Sequence, residues 1–267
     1  MNLIPGNIRT TIRITVVAVF VFATILTVSL ASGLQYYFGQ SMAKDSATDL
    51  YATAASSIAV EIRNVGQVNE NVIALLADNP VLRDTDYPQE LLEIFRGVLE
   101  KNPLYYGVYL GRGDGSFYEV INLDTSTRAR RVLRALPTDR WLILEVRREG
   151  EQFVRYYHYL NKAMERRFTR SETTSFDVTG RPWYLSAMAS EEAIFTAPYL
   201  FAQLGDPGRT VSKRVGDTDT VVAIDMTLAS ASRFLREHRV AEHGDVYLYN
   251  SDGEILSSSL PDDRDHS

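Results

Sequence analysis

The run LYYGVYL (Leu104–Leu110), the turn GRGDGS (Gly111–Ser116) and the run FYEVINL (Phe117–Leu123) decide how this chain folds. Two aromatic and β-branched runs joined by a glycine-rich turn form a β-hairpin. The three glycines of the turn do not make a dinucleotide site, because they lie between strands and no helix follows. The Arg112-Gly113-Asp114 tripeptide within it carries no weight beyond chance.

Towards the C-terminus the hairpin pattern repeats. Strands are expected at Trp141–Val146, Phe153–Leu160 and Arg166–Thr169, and a short helix over Pro182–Ser190. Strands at Ile194–Phe201, Thr210–Val215 and Val221–Met226 follow, then a closing helix over Leu228–Glu237. A last hairpin joins Asp245–Tyr249 to Glu254–Ser259 through Ser251-Asp252-Gly253. Helices followed by hairpin-linked strands make an α+β order rather than alternating βαβ units.

Towards the N-terminus the period changes. Leu91, Leu92, Phe95, Val98 and Leu99 mark one face of a helix over Pro88–Lys101. Upstream, Leu50, Ala54, Ile58, Ile62, Val65, Val72, Leu75 and Leu76 recur at helical spacing from Lys44 to Asp78, with no proline between. Before that helix, Ile14 to Ala43 has no charged side chain. Its apolar part, Ile14–Leu34, is about 21 residues long, enough helix to cross roughly 30 Å of hydrocarbon. It exceeds the ~7–15 residues of a signal-peptide core, so an uncleaved anchor is expected. Arg9 and Arg13 precede it and Asp45 follows, which keeps the N-terminus cytoplasmic and exports the body. Tyr36, Tyr37 and Phe38 then fall at the membrane interface.

Composition narrows the function. The chain of 267 residues has a net charge of −6 and no cysteine. Acidic balance argues against nucleic acid as a partner, and the missing thiols exclude disulfides, Cys-ligated zinc and thiol catalysis. His158, His238, His243 and His266 have no metal-ligand spacing, and no nucleophile motif, phosphate loop or paired carboxylate appears. No cofactor and no catalytic residue is expected.

One constellation is sharper. Asp177-Val178-Thr179-Gly180-Arg181-Pro182-Trp183-Tyr184 places an arginine, a tryptophan and a tyrosine at the start of the short helix. Pro182 suits the first helical turn, and a guanidinium there can receive a carboxylate or phosphate. Tyr199 and Asp225 lie on later strands. An anionic group near Arg181 and a cationic one near Asp225, walled by aromatics, describe a receptor for a small zwitterion. The same residues also read as core aromatics around a structural Arg181–Asp225 pair.

A single anchor, a long helix, hairpins, the Asp177–Tyr184 stretch, a Pro198-Tyr199 and an Ile224-Asp225-Met226 together resemble the double Cache (dCache) extracellular sensor domains of bacterial receptors. The resemblance implies a PAS-like antiparallel sheet hung on a long N-terminal helix, with the ligand in the membrane-distal module and the start of a second module after it. It implies residues 1–13 in the cytoplasm, a transmembrane helix over 14–38, the long helix and distal module over 44–240, and an incomplete proximal module over 241–267. In the amino-acid-binding subset, Arg181 and Trp183 would hold the ligand carboxylate and Asp225 its amine, with Tyr184 and Tyr199 assisting. Phe176 falls where that pattern has a tyrosine, keeping the ring and losing the hydroxyl.

The expected protein is therefore a small-molecule sensor in the inner membrane with its body in the periplasm, binding an amino acid, amine or organic acid. By the same resemblance it works as a homodimer and signals along Lys44–Asp78 to an output domain. That output would be a cyclic-nucleotide cyclase, an HD-type cyclic-di-GMP phosphodiesterase, a histidine kinase or a chemotaxis module. A tethered hydrolase and a ligand-free interaction domain are the rival readings.

Overall fold

A computed structural model describes residues 12–83, 88–201, 204–237, 245–249, 253 and 255–260. Arg9, the histidines at 238, 243 and 266, and the polar tail lie outside them.

The first compact unit ends at Ala59 and consists of the N-terminal part of helix α1. As expected of an apolar helix that continues into a long amphipathic one, α1 is one helix from Ile12 to Ala77. No proline interrupts it, and Gly33, Gly39 and Gly66 cost propensity without breaking it. It is the one helix among the described residues long and apolar enough to cross a membrane. Within the apolar run, the Thr24 and Thr27 hydroxyls donate to the Phe20 and Ala23 carbonyls at 2.8 Å. Such back-bonding satisfies the hydroxyls within the helix itself.

The second unit, Val60–Ser267, holds the sheet. After α1 come a 3-10 turn (Pro80–Arg83), α2 (Pro88–Lys101), β1 (Gly107–Gly111) and β2 (Phe117–Asn122). Then follow α3 (Thr127–Val132), β3 (Trp141–Glu149), β4 (Gln152–Leu160), β5 (Arg166–Thr174) and α4 (Pro182–Met188). β6 (Ile194–Phe195), β7 (Tyr199–Leu200), β8 (Pro207–Arg214), β9 (Val221–Thr227) and α5 (Leu228–Glu237) complete the module. β10 (Tyr247–Tyr249) and β11 (Ile255–Ser258) pair as a separate two-stranded sheet.

Three expectations need correction. The expected strand Ile194–Phe201 is two short strands, because Pro198 has no N–H to give the ladder; both pieces pair with β8. β3 and β5 run on to Glu149 and Thr174, past the apolar alternation, because each pairs with β4 over its whole length. Helix α3 was not anticipated. It is one short basic turn and a half, started by Ser126, whose hydroxyl oxygen accepts from the Ala129 N–H at 3.1 Å.

The main sheet has nine strands in the order β5-β4-β3-β2-β1-β9-β8-β6, with β7 also on β8, and every pair is antiparallel. The chain meanders outward from β1 to β5, then returns to lay β9 against the free side of β1. This closure brings the first and last strands of the module together at its centre.

Alternation gives each face its own core. Val108 and Leu110 of β1, Ile143 of β3 and Ile224 of β9 pack with Leu91, Phe95 and Leu99 of α2 and with Ile73, Leu76 and Ala77 at the end of α1. Asn69 of α1 ties the helix down, accepting from the Tyr105 hydroxyl at 2.5 Å. The opposite face carries Tyr109, Phe117, Leu142, Leu144 and Ala223 against Trp183, Tyr184 and Ala187 of α4. The candidate site lies on this second face.

Candidate functional site

Strand register sets out the floor of the site. One row across the sheet reads Leu144, Glu119, Tyr109, Ala223, Ser212; the next reads Leu142, Ile121, Gly107, Asp225, Thr210. Gly107 leaves a gap in the second row. Glu119 fills it from the neighbouring strand: a Cβ on Gly107 would lie 2.6 Å from Glu119 Oε1. The two carboxylates, Glu119 and Asp225, thus come from the strands on either side of β1.

A cavity of about 300 Å³, its open mouth included, stands over this floor. Its walls are Tyr109, Phe117, Phe176, Trp183, Tyr199 and Phe201, and its charged groups are Glu119, Arg181 and Asp225. The aromatic wall is tightly built: Trp183 meets Tyr109 edge-on at 4.9 Å, and Phe117 meets Phe176 at 5.2 Å. Gly111 permits this, since a side chain there would collide with Val178 and Trp183. Ser212 anchors α4 by donating to the Trp183 carbonyl at 2.9 Å.

Asp225 is buried, and its Oδ1 accepts from the Tyr109 hydroxyl at 2.7 Å and the Thr210 hydroxyl at 2.5 Å. Tyr199 reaches the same Thr210 oxygen at 2.7 Å. Burial outweighs these hydrogen bonds and the attraction of Arg181, and pushes the Asp225 carboxyl up to about 7. Glu119 is only 2% exposed, and its Oε2 has no hydrogen-bond partner. Burial first, and then the Asp225 charge, raise it well above the usual carboxylate range, against a downward pull from Arg155. The buried Tyr106 hydroxyl is likewise without a partner and feels both carboxylates.

Arg181 is the N-cap residue of α4, and its guanidinium lies 5.8 Å over the Phe176 ring. Among the described residues it forms no ion pair and no side-chain hydrogen bond. The expected alternative, a structural Arg181–Asp225 salt bridge, is therefore absent. The helix terminus itself contributes little, because α4 has seven residues.

Five of the six residues singled out from the sequence, Phe176, Arg181, Trp183, Tyr199 and Asp225, border this one cavity. Tyr184 does not. It is buried behind Trp183, and its hydroxyl donates to the Asp219 carbonyl at 2.6 Å. Tyr109, Phe117, Glu119 and Phe201 border the cavity without having been singled out. Glu119 left a signal, for Phe117, Glu119 and Ile121 share a strand face and only the middle one is charged.

No family model matches the chain. It is 24% identical over 195 residues to adenylate cyclase 1 of Rhizobium meliloti, covering 71% of this chain and 29% of that protein. It is 32% identical over 83 residues to the methyl-accepting chemotaxis protein TlpB of Bacillus subtilis, covering 31% of this chain and 12% of that protein. A third match, McpC of the same organism, is 27% identical over 106 residues, 37% of this chain and 16% of that protein. The matches thus span under a third of each relative's length. Among solved structures, the ligand-binding domain of the Campylobacter jejuni chemoreceptor Tlp3 in complex with 4-methylisoleucine has a TM-score of 0.47 at 15% identity, covering 79% of this chain and 68% of that one. The ligand-binding domain of the Pseudomonas fluorescens chemoreceptor CtaA in complex with L-valine has a TM-score of 0.43 at 18% identity, covering 73% of this chain and 67% of that one. The chain resembles bacterial receptors, as its sequence led us to expect.

Proposed function

We propose that this chain is the Cache-type sensing portion of a bacterial transmembrane receptor and that its cavity binds a small zwitterion bearing an amine and a carboxylate. One observation carries the reading. An unpaired guanidinium, Arg181, and a desolvated carboxylate, Asp225, border the same aromatic cavity. A fold gains nothing from leaving such groups unmatched, whereas a ligand supplying the opposite charges would satisfy both. Sequence likeness to two chemotaxis receptors and a cyclase supports a receptor role.

In this reading α1 spans the inner membrane over residues 14–38 and the sheet module is periplasmic. Residues 44–240 form the distal module and 241–267 begin a proximal one. Occupancy is passed along α1 within a homodimer to a cytoplasmic output domain. A reporter fused after Ser259 tests the export: activity confined to the cytoplasm would refute it. Crosslinking between cysteines introduced along residues 44–78 tests the dimer, and a pattern indifferent to ligand would refute the signalling path.

The binding reading is tested by a thermal-shift screen of the full chain in detergent against amino acids, amines and organic acids. A ligand at 100 times its Kd adds about 2.7 kcal/mol of stability. A shift that disappears in both Arg181→Ala and Asp225→Asn is the expected result. Silence from a folded protein across that panel would refute it.

A further inference from the structure

We infer that the cavity selects a ligand with one carboxylate and two amino groups, a compact basic amino acid, and that Glu119 receives the second ammonium. The inference rests on the zwitterion reading and names the ligand class within it.

Charge matching carries the argument. A neutral zwitterion would answer Arg181 with its carboxylate and Asp225 with its amine. Glu119 would remain, 98% buried, on the floor of the same cavity, with Oε2 unpartnered. A buried carboxyl group left without a partner is costly, and among the described residues no cation pairs with it. The arginine that acts on it, Arg155, lies 3.7 Å from Glu172 and stacks 5.3 Å over Phe176; its own Nε is buried without a partner, yet it forms no ion pair with Glu119. Nor does Glu119 share the hydroxyls of Tyr109 and Thr210, which both donate to Asp225.

Packing points the same way. A glycine at 107 is what admits the Glu119 carboxyl group over β1, so the floor keeps an ionisable group, which a ligand ammonium would draw into its charged form, where an aliphatic side chain would pack without cost. The rings of Tyr109, Phe117 and Trp183 border the same space, and aromatic side chains around a cavity can attract a cation. The space is about 300 Å³ with its open mouth counted, so the enclosed part is smaller still, which favours a short side chain.

The test compares ornithine with norvaline, which share one carbon skeleton and differ in the terminal ammonium. Calorimetry uses the full chain in lipid nanodiscs, wild type and Glu119→Gln. The expected result is ornithine bound at least tenfold more tightly by the wild type. In Glu119→Gln that preference should vanish while norvaline is still bound. Norvaline binding as tightly as ornithine in the wild type would overturn the inference and leave the zwitterion reading standing. A preference for ornithine that survives in Glu119→Gln would overturn the role of Glu119. If neither compound binds folded wild type at millimolar concentration, both the inference and the reading beneath it fail. Should Glu119→Gln not fold, the wild-type ratio decides alone.

Discussion

Replacing Asp225 by asparagine should make the ligand-free protein more stable, increasingly so as pH rises. The carboxyl holds its proton up to about pH 7 in the folded state against 3.8 ordinarily. Between those values the folded protein binds more protons than the unfolded chain, so stability falls as pH climbs through the window and is level above it. At ~1.4 kcal/mol per pH unit, the full effect is about 4 kcal/mol, of which roughly 3 develops between pH 5 and pH 8. Asparagine removes that term and keeps Oδ1 as acceptor for Tyr109 and Thr210. Its amide nitrogen, left in place of Oδ2, costs on the order of 1–3 kcal/mol, but equally at every pH. The pH-dependent difference between variant and wild type is therefore the cleaner quantity. Thermal unfolding in detergent at pH 5 and pH 8, followed by Trp fluorescence, should show the variant gaining roughly 6–12 °C on the wild type across that interval. A difference that does not change with pH would mean that Asp225 is not desolvated as described, and the site's electrostatic account would fall with it.

Other perturbations probe the frame around the site. Asp139, with its side chain fully buried, accepts from Arg167 Nε and Nη2 at 2.7 Å each; Arg167 is partly exposed and stays hydrated, so Asp139→Asn should cost about 1.5–3 kcal/mol in denaturant unfolding. The Asp139 carboxyl is held below its ordinary 3.8, so the stability it adds is present above that value and is lost as pH falls through its lower folded value. In Gly208→Ala the new methyl would collide with the Phe201 ring and approach the Met226 carbonyl oxygen to 2.7 Å, a loss of about 1–3 kcal/mol readable as a lowered Tm. Ser126→Ala removes the α3 cap and should cost about 1 kcal/mol, with Ser126→Gly costing less.

The sequence disclosed elements better than it disclosed the site. The hairpin at Leu104–Leu123 and the helix at Pro88–Lys101 were legible because composition and period agree there, and both stand with bounds close to those expected. The β6–β7 break was legible in principle, since Pro198 marks it. Helix α3 was not, because TRARRV has no apolar periodicity and owes its turn to the Ser126 cap. Arg181, Trp183 and Asp225 could be gathered in advance as residue types that match one ligand. Tyr184 could not be told from a cavity residue, for adjacent positions on one helical turn differ by about 100° and only packing decides which faces inward. Glu119 escaped because its meaning depends on β9 pairing beside β1, a closure across more than a hundred residues that no local pattern encodes.

That closure also explains why the cavity and the end of α1 can be linked. Gly107 and Tyr109 of β1 face the cavity, while Val108 and Leu110, between and beyond them, pack towards Ile73 and Leu76 of α1. In β9, Asp225 faces the cavity and its neighbour Ile224 packs with the same helix end. One strand pair thus carries ligand groups on one side and helix contacts on the other. Any displacement of β9 against β1 that brings Asp225 onto a ligand ammonium must move Ile224 beneath it, because the backbone and both side chains move together. On the helix face Asn69 is held by the Tyr105 hydroxyl and by a 3.2 Å contact with the Met226 sulfur. Asn69→Leu would remove both polar contacts while keeping the helix apolar, so it should loosen this coupling without touching the cavity. Ligand affinity should then be retained while the ligand-dependent crosslinking along residues 44–78 is lost. Unchanged crosslinking in a folded Asn69→Leu protein would place the coupling elsewhere in the sheet.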